Sequence, residues 1–298
     1  MKFERVSDIT CEVGESPVWH AGEQALYWTD IPARKLWRWH AGTQQAASWS
    51  LPEMAGCIAM TATGGWLLAM ETGIFTTPKL TAEQATPHLT RVATVSHIAG
   101  NMRFNDGRTD RQGRFWAGTM VQDMSLKSRA GKVYRYDGNG LSAAVIEDLL
   151  VPNGMAFSPD GRTMYLSDSH PSSQGIWAFD YDIDDGVPYN RKTFVDMKEY
   201  PGRPDGAAVD IDGCYWICGN DEGVIHRFTP QGKLDRSVAV PMLKPAMCAF
   251  GGAQMDTLFV TSIRPGGLAA GEQPDAGALY ALQVGIQGIN ETPVAGRR

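Results

Sequence analysis

A repeat of 41 to 52 residues runs along the chain and restricts the possible folds more than any other feature of the sequence. In four copies the starting residue is followed eight positions later by a glycine, and then by an apolar run typical of a strand. The first and last copies are more divergent. Repeats of this length are typical of architectures in which each copy forms one structural unit. The six copies start at Glu15, Gly56, Asn105, Asn153, Asp205 and near Cys248.

Each copy contains further runs of strand-forming residues. The sequences SPDG at 158–161 and DIDG at 210–213 are typical of hairpin turns, because their glycine suits a positive φ. Third strands are predicted at 35–39, 73–76, 132–136, 175–179, 224–228 and 278–282. Fourth strands are predicted at 89–95, 142–147, 191–196 and 234–240.

Six units of about four strands predict an all-β chain folded as a six-bladed β-propeller. A single propeller domain is expected over 1–298, with blades starting near 15, 56, 105, 153, 205 and 248. We expect residues 3–10 to supply a strand that closes the ring against the last blade. The alternative architecture is a pair of β-sandwiches.

Composition excludes several classes of function. The chain has 27 Lys and Arg against 33 Asp and Glu, a formal charge of −6, so nucleic acid is not an expected partner. No apolar run approaches the roughly 18 residues of a membrane span. The N-terminus carries charges where a signal peptide needs an apolar stretch. Five scattered cysteines favour free thiols in a cytoplasmic protein, and the oligomeric state is not indicated.

The starting residues of the repeat suggest a metal site. The first strand of each propeller blade lines the central channel, so equivalent positions face one another. A ring of oxygen donors suits a hard divalent cation such as Ca²⁺, Mg²⁺ or Mn²⁺. The alternative is that Asn-Gly and Asp-Gly are turn dipeptides, but this explains neither Glu15 nor the recurrence at one blade position. Oxygen donors occur at four starts, namely Glu15, Asn105, Asn153 and Asp205.

Seven short motifs occur in the order found in one protein family. On these motifs the chain resembles the senescence marker protein/gluconolactonase/regucalcin family over nearly its whole length. The resemblance implies a six-bladed propeller and metal-dependent sugar lactonase activity. The motifs are GESPVW (14–19), RFNDG (103–107), AGTM (117–120), NG (153–154), PDG (204–206), FGG (250–252) and QPDAG (273–277).

The resemblance also implies a metal site, and the chemistry of that site suggests a catalytic base. Glu15, Asn153 and Asp205 match the metal ligands of the family, so one divalent ion (Ca, Zn, Mn, Mg or Fe) is the expected cofactor. Bound there, the ion would polarise the carbonyl of a lactone that water attacks. Asp205 is the expected catalytic residue, because a carboxylate beside the ion can also accept the proton of that water.

Substrate contacts are implied at three further positions. Arg103 and Asn105 match the substrate-contacting pair of the family. Asp123 occupies the position of an acidic substrate contact in some members, although its loop, 121–130, differs from theirs. If the basic residues near the channel mouth cluster there, a lactone with an anionic tail is favoured as the substrate. The alternative is that three of these four residues are solvated surface charges. These residues are Arg103, Lys127, Arg129 and Arg203.

The predicted function is therefore metal-dependent hydrolysis of a sugar lactone to the open sugar acid. The expected partner is this small molecule, without nucleic acid or membrane. Two alternatives remain: a metal-dependent phosphotriesterase or arylesterase on the same fold, and a non-catalytic calcium-binding propeller.

Overall fold

Six four-stranded antiparallel sheets contain the strands of this protein, for which a computed structural model describes residues 3–269 and 271–295. In five sheets the strands follow one another in chain order, and the sixth sheet adds the N-terminal strand outside three consecutive C-terminal strands, so each sheet is one blade. The innermost strand of each blade contacts those of the next and preceding blades, and the ring closes between blades 6 and 1. The prediction of an all-β, six-bladed propeller is confirmed.

The strands of blades 1 to 3 are given from the channel outwards. In blade 1 they are Gly14–His20, Ala25–Asp30, Lys35–His40 and Gln45–Ser50. In blade 2 they are Cys57–Met60, Trp66–Ala69, Gly73–Thr77 and Thr90–Thr94. In blade 3 they are Met102–Thr109, Phe115–Val121, Gly131–Tyr136 and Ile146–Leu149.

The strands of blades 4 to 6 are given in the same way. Two short 3-10 helices lie in connections, Met124–Leu126 within blade 3 and Met197–Glu199 between blades 4 and 5. In blade 4 the strands are Pro152–Phe157, Thr163–Asp168, Gly175–Asp182 and Val187–Asp196. In blade 5 they are Arg203–Val209, Tyr215–Asn220, Val224–Phe228 and Leu234–Ala239. In blade 6 they are Pro245–Gly251, Thr257–Ser262, Tyr280–Gln283 and, from the N-terminus, Phe3–Arg5.

The hydrophobic core is divided into clusters that lie between neighbouring blades. Between blades 4 and 5, for example, the buried rings of Tyr165 and Tyr215 are 5.0 Å apart and pack with Ile176 and Phe228. Side chains alternate across a strand, so each blade presents one apolar face to the preceding blade and another to the next. This packing holds the inner strands around the channel.

Both ends of the chain complete the ring. Phe3–Arg5 pairs with Tyr280–Gln283 as the outer strand of blade 6. The strand is shorter than the expected 3–10, because beyond Arg5 only isolated bonds continue the pairing, such as Cys11 N–H to Gly277 C=O at 2.9 Å.

The blade 1 outer strand, Gln45–Ser50, was not predicted, since its small and polar residues give little strand signal.

The C-terminal segment crosses the channel at the end where the inner strands finish. Gly288 bridges to Asp210 of blade 5, and Val294 bridges to Thr61 of blade 2. Blades 2 and 5 are opposite one another in a ring of six, so residues 288–294 span the channel. Glu291 forms an ion pair there with the buried Arg108. The described ranges contain no helix with the length and apolarity that a membrane crossing requires.

Candidate active site

A cavity of about 170 Å³ lies at the opposite end of the channel, where the inner strands begin. Its wall contains four pairs of residues spaced two apart, because side chains at positions i and i+2 of a strand point the same way. One level of the wall contains Val13, Arg103, Val151 and Arg203. The deeper level contains Glu15, Asn105, Asn153 and Asp205.

A β-bulge at the same place in several inner strands turns the deeper residues towards the channel. Glu15 and Asn153 are the last residues paired with the second strand before the bulge, whereas Asn105 and Asp205 are the first unpaired residues within it. Successive residues of a regular strand face opposite sides of the sheet. Without the bulge, Glu15 and Asn153 would therefore not face the same cavity as Asn105 and Asp205. The Asn-Gly and Asp-Gly dipeptides therefore lie within strands and not in hairpin turns.

The backbone after two of these residues takes a left-handed conformation. Ser16 has a φ of 51°, and its hydroxyl accepts a hydrogen bond of 2.9 Å from the Ile58 N–H of blade 2. Gly154 has a φ of 57°, and a side chain there would meet the Tyr215 hydroxyl at 2.4 Å. Glycine is required at 154 for both reasons.

Two residues of the deeper level, Asn153 and Glu15, have side-chain oxygens with few or no hydrogen-bond partners. Asn153 Nδ2 donates to Asp205 Oδ1 at 2.7 Å, which points Asn153 Oδ1 elsewhere. This buried oxygen has no hydrogen-bond partner within the described residues. Glu15 Oε2 accepts one long bond of 3.3 Å from the Ser16 N–H. A buried oxygen without a partner requires explanation, and a bound cation would supply one.

Burial and mutual repulsion raise the pKa values of the buried carboxylates. Burial is the main cause for Glu15, whose pKa lies well above its usual range and is raised further by Asp205 and Asp106. Burial raises the pKa of Asp205 to about 7, although Arg203 and the Asn220 hydrogen bond oppose the change. Burial also raises the pKa of Asp106 to about 6, against hydrogen bonds from the Met155 and Gly107 N–H groups. A cation would offset the cost of ionising these groups.

The donor set fits a hard divalent cation. Among residues 3–269 and 271–295, no three His, Cys, Asp or Glu side chains form a group suited to a metal. The candidate set has instead two carboxylates and the unpaired carboxamide oxygen of Asn153. Oxygen donors of this kind are preferred by Ca²⁺, Mg²⁺ and Mn²⁺.

Arg103 and Asn105 form a second pair in the cavity. Arg103 Nη1 donates to Asn105 Oδ1 and to the Phe104 carbonyl, both at 2.8 Å. Asn105 Nδ2 donates to the Pro152 carbonyl at 3.0 Å. The oxygen of Asn105 is therefore engaged, unlike that of Asn153. Arg103 has no ion pair in the part of the chain that the structure describes, so the remaining guanidinium donors are available to a ligand.

Asp123 and part of the expected basic rim are not among the residues of the cavity wall. The exposed Asp123 begins the 3-10 helix Met124–Leu126, where its Oδ1 accepts bonds from the N–H and hydroxyl of Ser125. Of that loop, Met124 is the residue in the cavity wall. Lys127 is exposed, and Arg129 pairs with Asp148 on the surface. The four basic residues are therefore dispersed, with Arg103 and Arg203 in the cavity wall.

Sequence reasoning missed a polar position at the end of the second strands. Asp30, Asp168 and Asn220 are equivalent there, because each pairs with the residue at the start of its inner strand. Asp168 accepts the N–H groups of Leu150 and Val151 at 2.9 and 3.0 Å, and Asp30 does the same for residues 12 and 13. Asn220 donates to Asp205. The recurrence of these residues in the repeat was a signal that could have identified them.

Comparisons with known proteins show the family to which the chain belongs. The sequence model of one protein family, the SMP-30/Gluconolactonase/LRE-like region, matches residues 13–264 of this chain. The chain belongs to this family. A 6-deoxy-6-sulfogluconolactonase from Pseudomonas putida is 36% identical over 287 residues, which are 95% of each chain. A regucalcin from Xenopus laevis is 33% identical, with 99% of each chain covered.

A solved structure confirms the fold. The crystal structure of a calcium-binding protein, regucalcin, from Agrobacterium tumefaciens superposes with a TM-score of 0.90 at 25% identity. The superposition covers 97% of this chain and 96% of that one.

Proposed function

We propose that this chain is a lactonase that opens a sugar lactone to the free sugar acid with the help of one divalent metal ion. The observation that carries the proposal is the unpaired, buried oxygen of Asn153 beside the carboxylates of Glu15 and Asp205, in the same cavity as Arg103. Family membership supports the reaction class, and the Pseudomonas putida relative is named as a lactonase.

Glu15, Asn153 and Asp205 are the proposed metal ligands. A cation bound by them would supply Lewis acidity that polarises the lactone carbonyl and stabilises the oxyanion. Ca²⁺, Mg²⁺ and Mn²⁺ suit the oxygen donors best. Zn²⁺ and Fe²⁺ stay among the candidates, because carboxylates also bind transition metals.

Asp205 is the proposed catalytic base. Its carboxylate accepts a proton from the water that attacks the carbonyl carbon, and returns it to the ring oxygen as the carbon–oxygen bond breaks. The reaction consumes one water and leaves a carboxyl group and a hydroxyl group. Asn153 and Asn220 hold the Asp205 carboxylate by one hydrogen bond to each oxygen, which fixes its direction during both transfers.

Arg103 and Asn105 are the proposed substrate-binding pair. The Arg103 guanidinium has free donors for the ring hydroxyls, and its bond to Asn105 fixes its direction. Because Arg103 lacks an ion pair among the described residues, an anionic substituent on the sugar is compatible with the cavity. Val13 and Val151, on the same level, provide apolar surface that limits water around the ring.

The test is pH-stat hydrolysis of a lactone panel by protein stripped with a chelator. The panel includes neutral aldonolactones, acidic-sugar lactones and 6-deoxy-6-sulfogluconolactone. Ca²⁺, Mg²⁺, Mn²⁺, Zn²⁺ and Fe²⁺ are each added back. We expect metal-restored turnover of at least one lactone well above the spontaneous rate, and its loss in Asp205→Asn.

The other two functions predict different results in the same assay. A phosphotriesterase or arylesterase would turn over phosphotriesters or aryl esters faster than any lactone. A non-catalytic calcium-binding propeller would bind Ca²⁺ without turnover. Absence of lactone turnover with every metal, in folded protein, would contradict the proposal.

A further inference from the structure

The carboxylate of Asp205 is held on both sides by buried carboxamides. Its Oδ1 accepts a hydrogen bond of 2.7 Å from Asn153, and its Oδ2 accepts one of 2.6 Å from Asn220 Nδ2. Each carboxylate oxygen can accept about two hydrogen bonds, so each can still accept one more bond or bind an ion. Asn220 is fully buried, and water therefore does not compete for its bond.

Arg203 contacts the amide oxygen of Asn220, on the side away from Asp205. Asn220 is the last residue of Tyr215–Asn220 and pairs across the sheet with Arg203. Arg203 Nη2 donates to Asn220 Oδ1 at 3.4 Å. The opposite orientation would set the amide oxygen against a carboxylate and the NH₂ group against a guanidinium. The two neighbours therefore select the orientation that donates to Asp205.

Arg203 is itself fixed by acceptors of the protein. Nε donates to Asp221 Oδ2 at 2.5 Å, and Nη1 donates to the carbonyl and hydroxyl oxygens of Ser169 at 3.0 and 3.2 Å. Lys244 is a second ion-pair partner of Asp221. With its donors engaged in this way, Arg203 is a rigid part of the cavity wall, in contrast to Arg103.

We propose that Asn220 is a positioning residue for Asp205, and that Arg203 holds Asn220 in the orientation this requires. Without Asn220 the Asp205 carboxylate can rotate, so the orientation suited to the ion and to the attacking water is populated for only part of the time. The effect on turnover rests on the proposed function. The effect on ion affinity does not, because a held carboxylate binds a cation better whichever substrate follows.

Calorimetric titration of Ca²⁺ into chelator-stripped Asn220→Ala protein tests the proposal. We expect the Ca²⁺ dissociation constant to rise about 10- to 100-fold, the effect of removing a hydrogen-bond partner of a metal ligand. At saturating Ca²⁺, kcat falls and the KM of the lactone changes little, because Arg103 and Asn105 are intact.

Ser237→Ala is the matched control. It removes a bond of 2.8 Å to His226 in the same blade and leaves Asp205 untouched, so Tm falls while Ca²⁺ affinity is retained. If the Ca²⁺ affinity of Asn220→Ala equals that of the wild type, or changes no more than in Ser237→Ala, the proposal is wrong.

Arg203→Lys is a second variant, which decides the question even if Asn220→Ala does not fold. Lysine keeps the positive charge opposite Asp221. It lacks the additional N–H donors with which the guanidinium also contacts Asn220 and Ser169. We expect weaker Ca²⁺ binding and a lower kcat. Unchanged Ca²⁺ affinity, with a KM raised only for lactones that carry an anion, would instead assign Arg203 to the substrate and overturn its positioning role.

The two proposals fail in distinguishable ways. Wild-type protein that binds Ca²⁺ but hydrolyses no lactone contradicts the proposed function, and the Ca²⁺ titrations of Asn220→Ala and Ser237→Ala still decide the role of Asn220.

Discussion

Asn105 and Asn153 begin repeat units in neighbouring blades, yet their carboxamides have different partners. The oxygen of Asn105 accepts from Arg103, whereas the buried oxygen of Asn153 has no partner in the described residues. The difference follows from the side chain two positions earlier, which is Arg103 in blade 3 and Val151 in blade 4. Their proposed roles in substrate and metal binding rest on this contrast.

Asp205→Asn preserves the shape of the side chain but removes the proposed base. We expect kcat to fall about 10²- to 10⁴-fold, the usual contribution of general base catalysis. Steady-state kinetics at saturating metal measure it, because the variant also binds the ion more weakly. Full activity of the purified variant would rule out Asp205 as the base.

Arg103→Ala should mainly raise KM, because it removes donors to the substrate and leaves the metal ligands in their positions. Kinetics on the best lactone measure the effect. Asp123→Asn, assayed in parallel, tests the role that the family resemblance implies for that residue. A raised KM would support a substrate contact by Asp123, and an unchanged KM would refute it.

The raised pKa values of Glu15 and Asp205 make the stability of metal-free protein depend on pH. A carboxyl group whose pKa is higher in the folded state favours folding at low pH, and this contribution is lost as pH rises through the folded-state value. For Asp205 the loss extends to about pH 7. We therefore expect Tm in chelator to fall between pH 5 and pH 8 and Ca²⁺ to raise Tm more at pH 8. A Ca²⁺ effect that is the same at both pH values would contradict this expectation.

At the scale of elements, the bulged inner strands determine which side chains reach the cavity. The bulge lies after Glu15 and Asn153, and it includes Asn105 and Asp205. A local change in register thus brings residues from two successive strand positions into one site. The left-handed backbone at Ser16 and Gly154 is part of the same distortion.

Gly154→Ala tests the importance of the bulge. The added methyl group would meet the Tyr215 hydroxyl at 2.4 Å and Ser167 Oγ at 2.7 Å, with φ at 57°. We expect a loss of about 1–3 kcal/mol in the free energy of unfolding, and weaker Ca²⁺ binding because Asn153 is adjacent. Gly64→Ala is the control, since its φ is 85° and no atom lies within 4 Å of the added carbon. Urea unfolding should show a smaller loss for the control.

At the scale of the whole molecule, a segment near the N-terminus completes the ring and a segment near the C-terminus crosses one end of the channel. The N-terminal strand completes blade 6, and residues 288–294 cross from blade 5 to blade 2. Access to the site is therefore from the side on which the inner strands begin. The ion pair of Arg108 with Glu291 holds the crossing segment against the inner strand of blade 3.

Glu291→Leu should destabilise the protein by about 3–5 kcal/mol, because it leaves the buried Arg108 without this carboxylate. The double variant Arg108→Met with Glu291→Leu should recover much of the loss, since an apolar pair has no unpaired charge. Urea unfolding of both variants measures the difference. A double variant no more stable than Glu291→Leu would show that the ion pair is not the main contact of the segment.

The sequence by itself determined the fold and the composition of the candidate site. Strand alternation and turn glycines are local properties, so the repeat predicted six blades and their order, and it aligned Glu15, Asn153 and Asp205 on the channel. The tertiary structure decided three features: the unpaired oxygen of Asn153, the hydrogen bond from Asn220 to Asp205, and the ion pair between Glu291 and Arg108. Each depends on groups that are distant in the chain and meet only when strands pair and the ring closes.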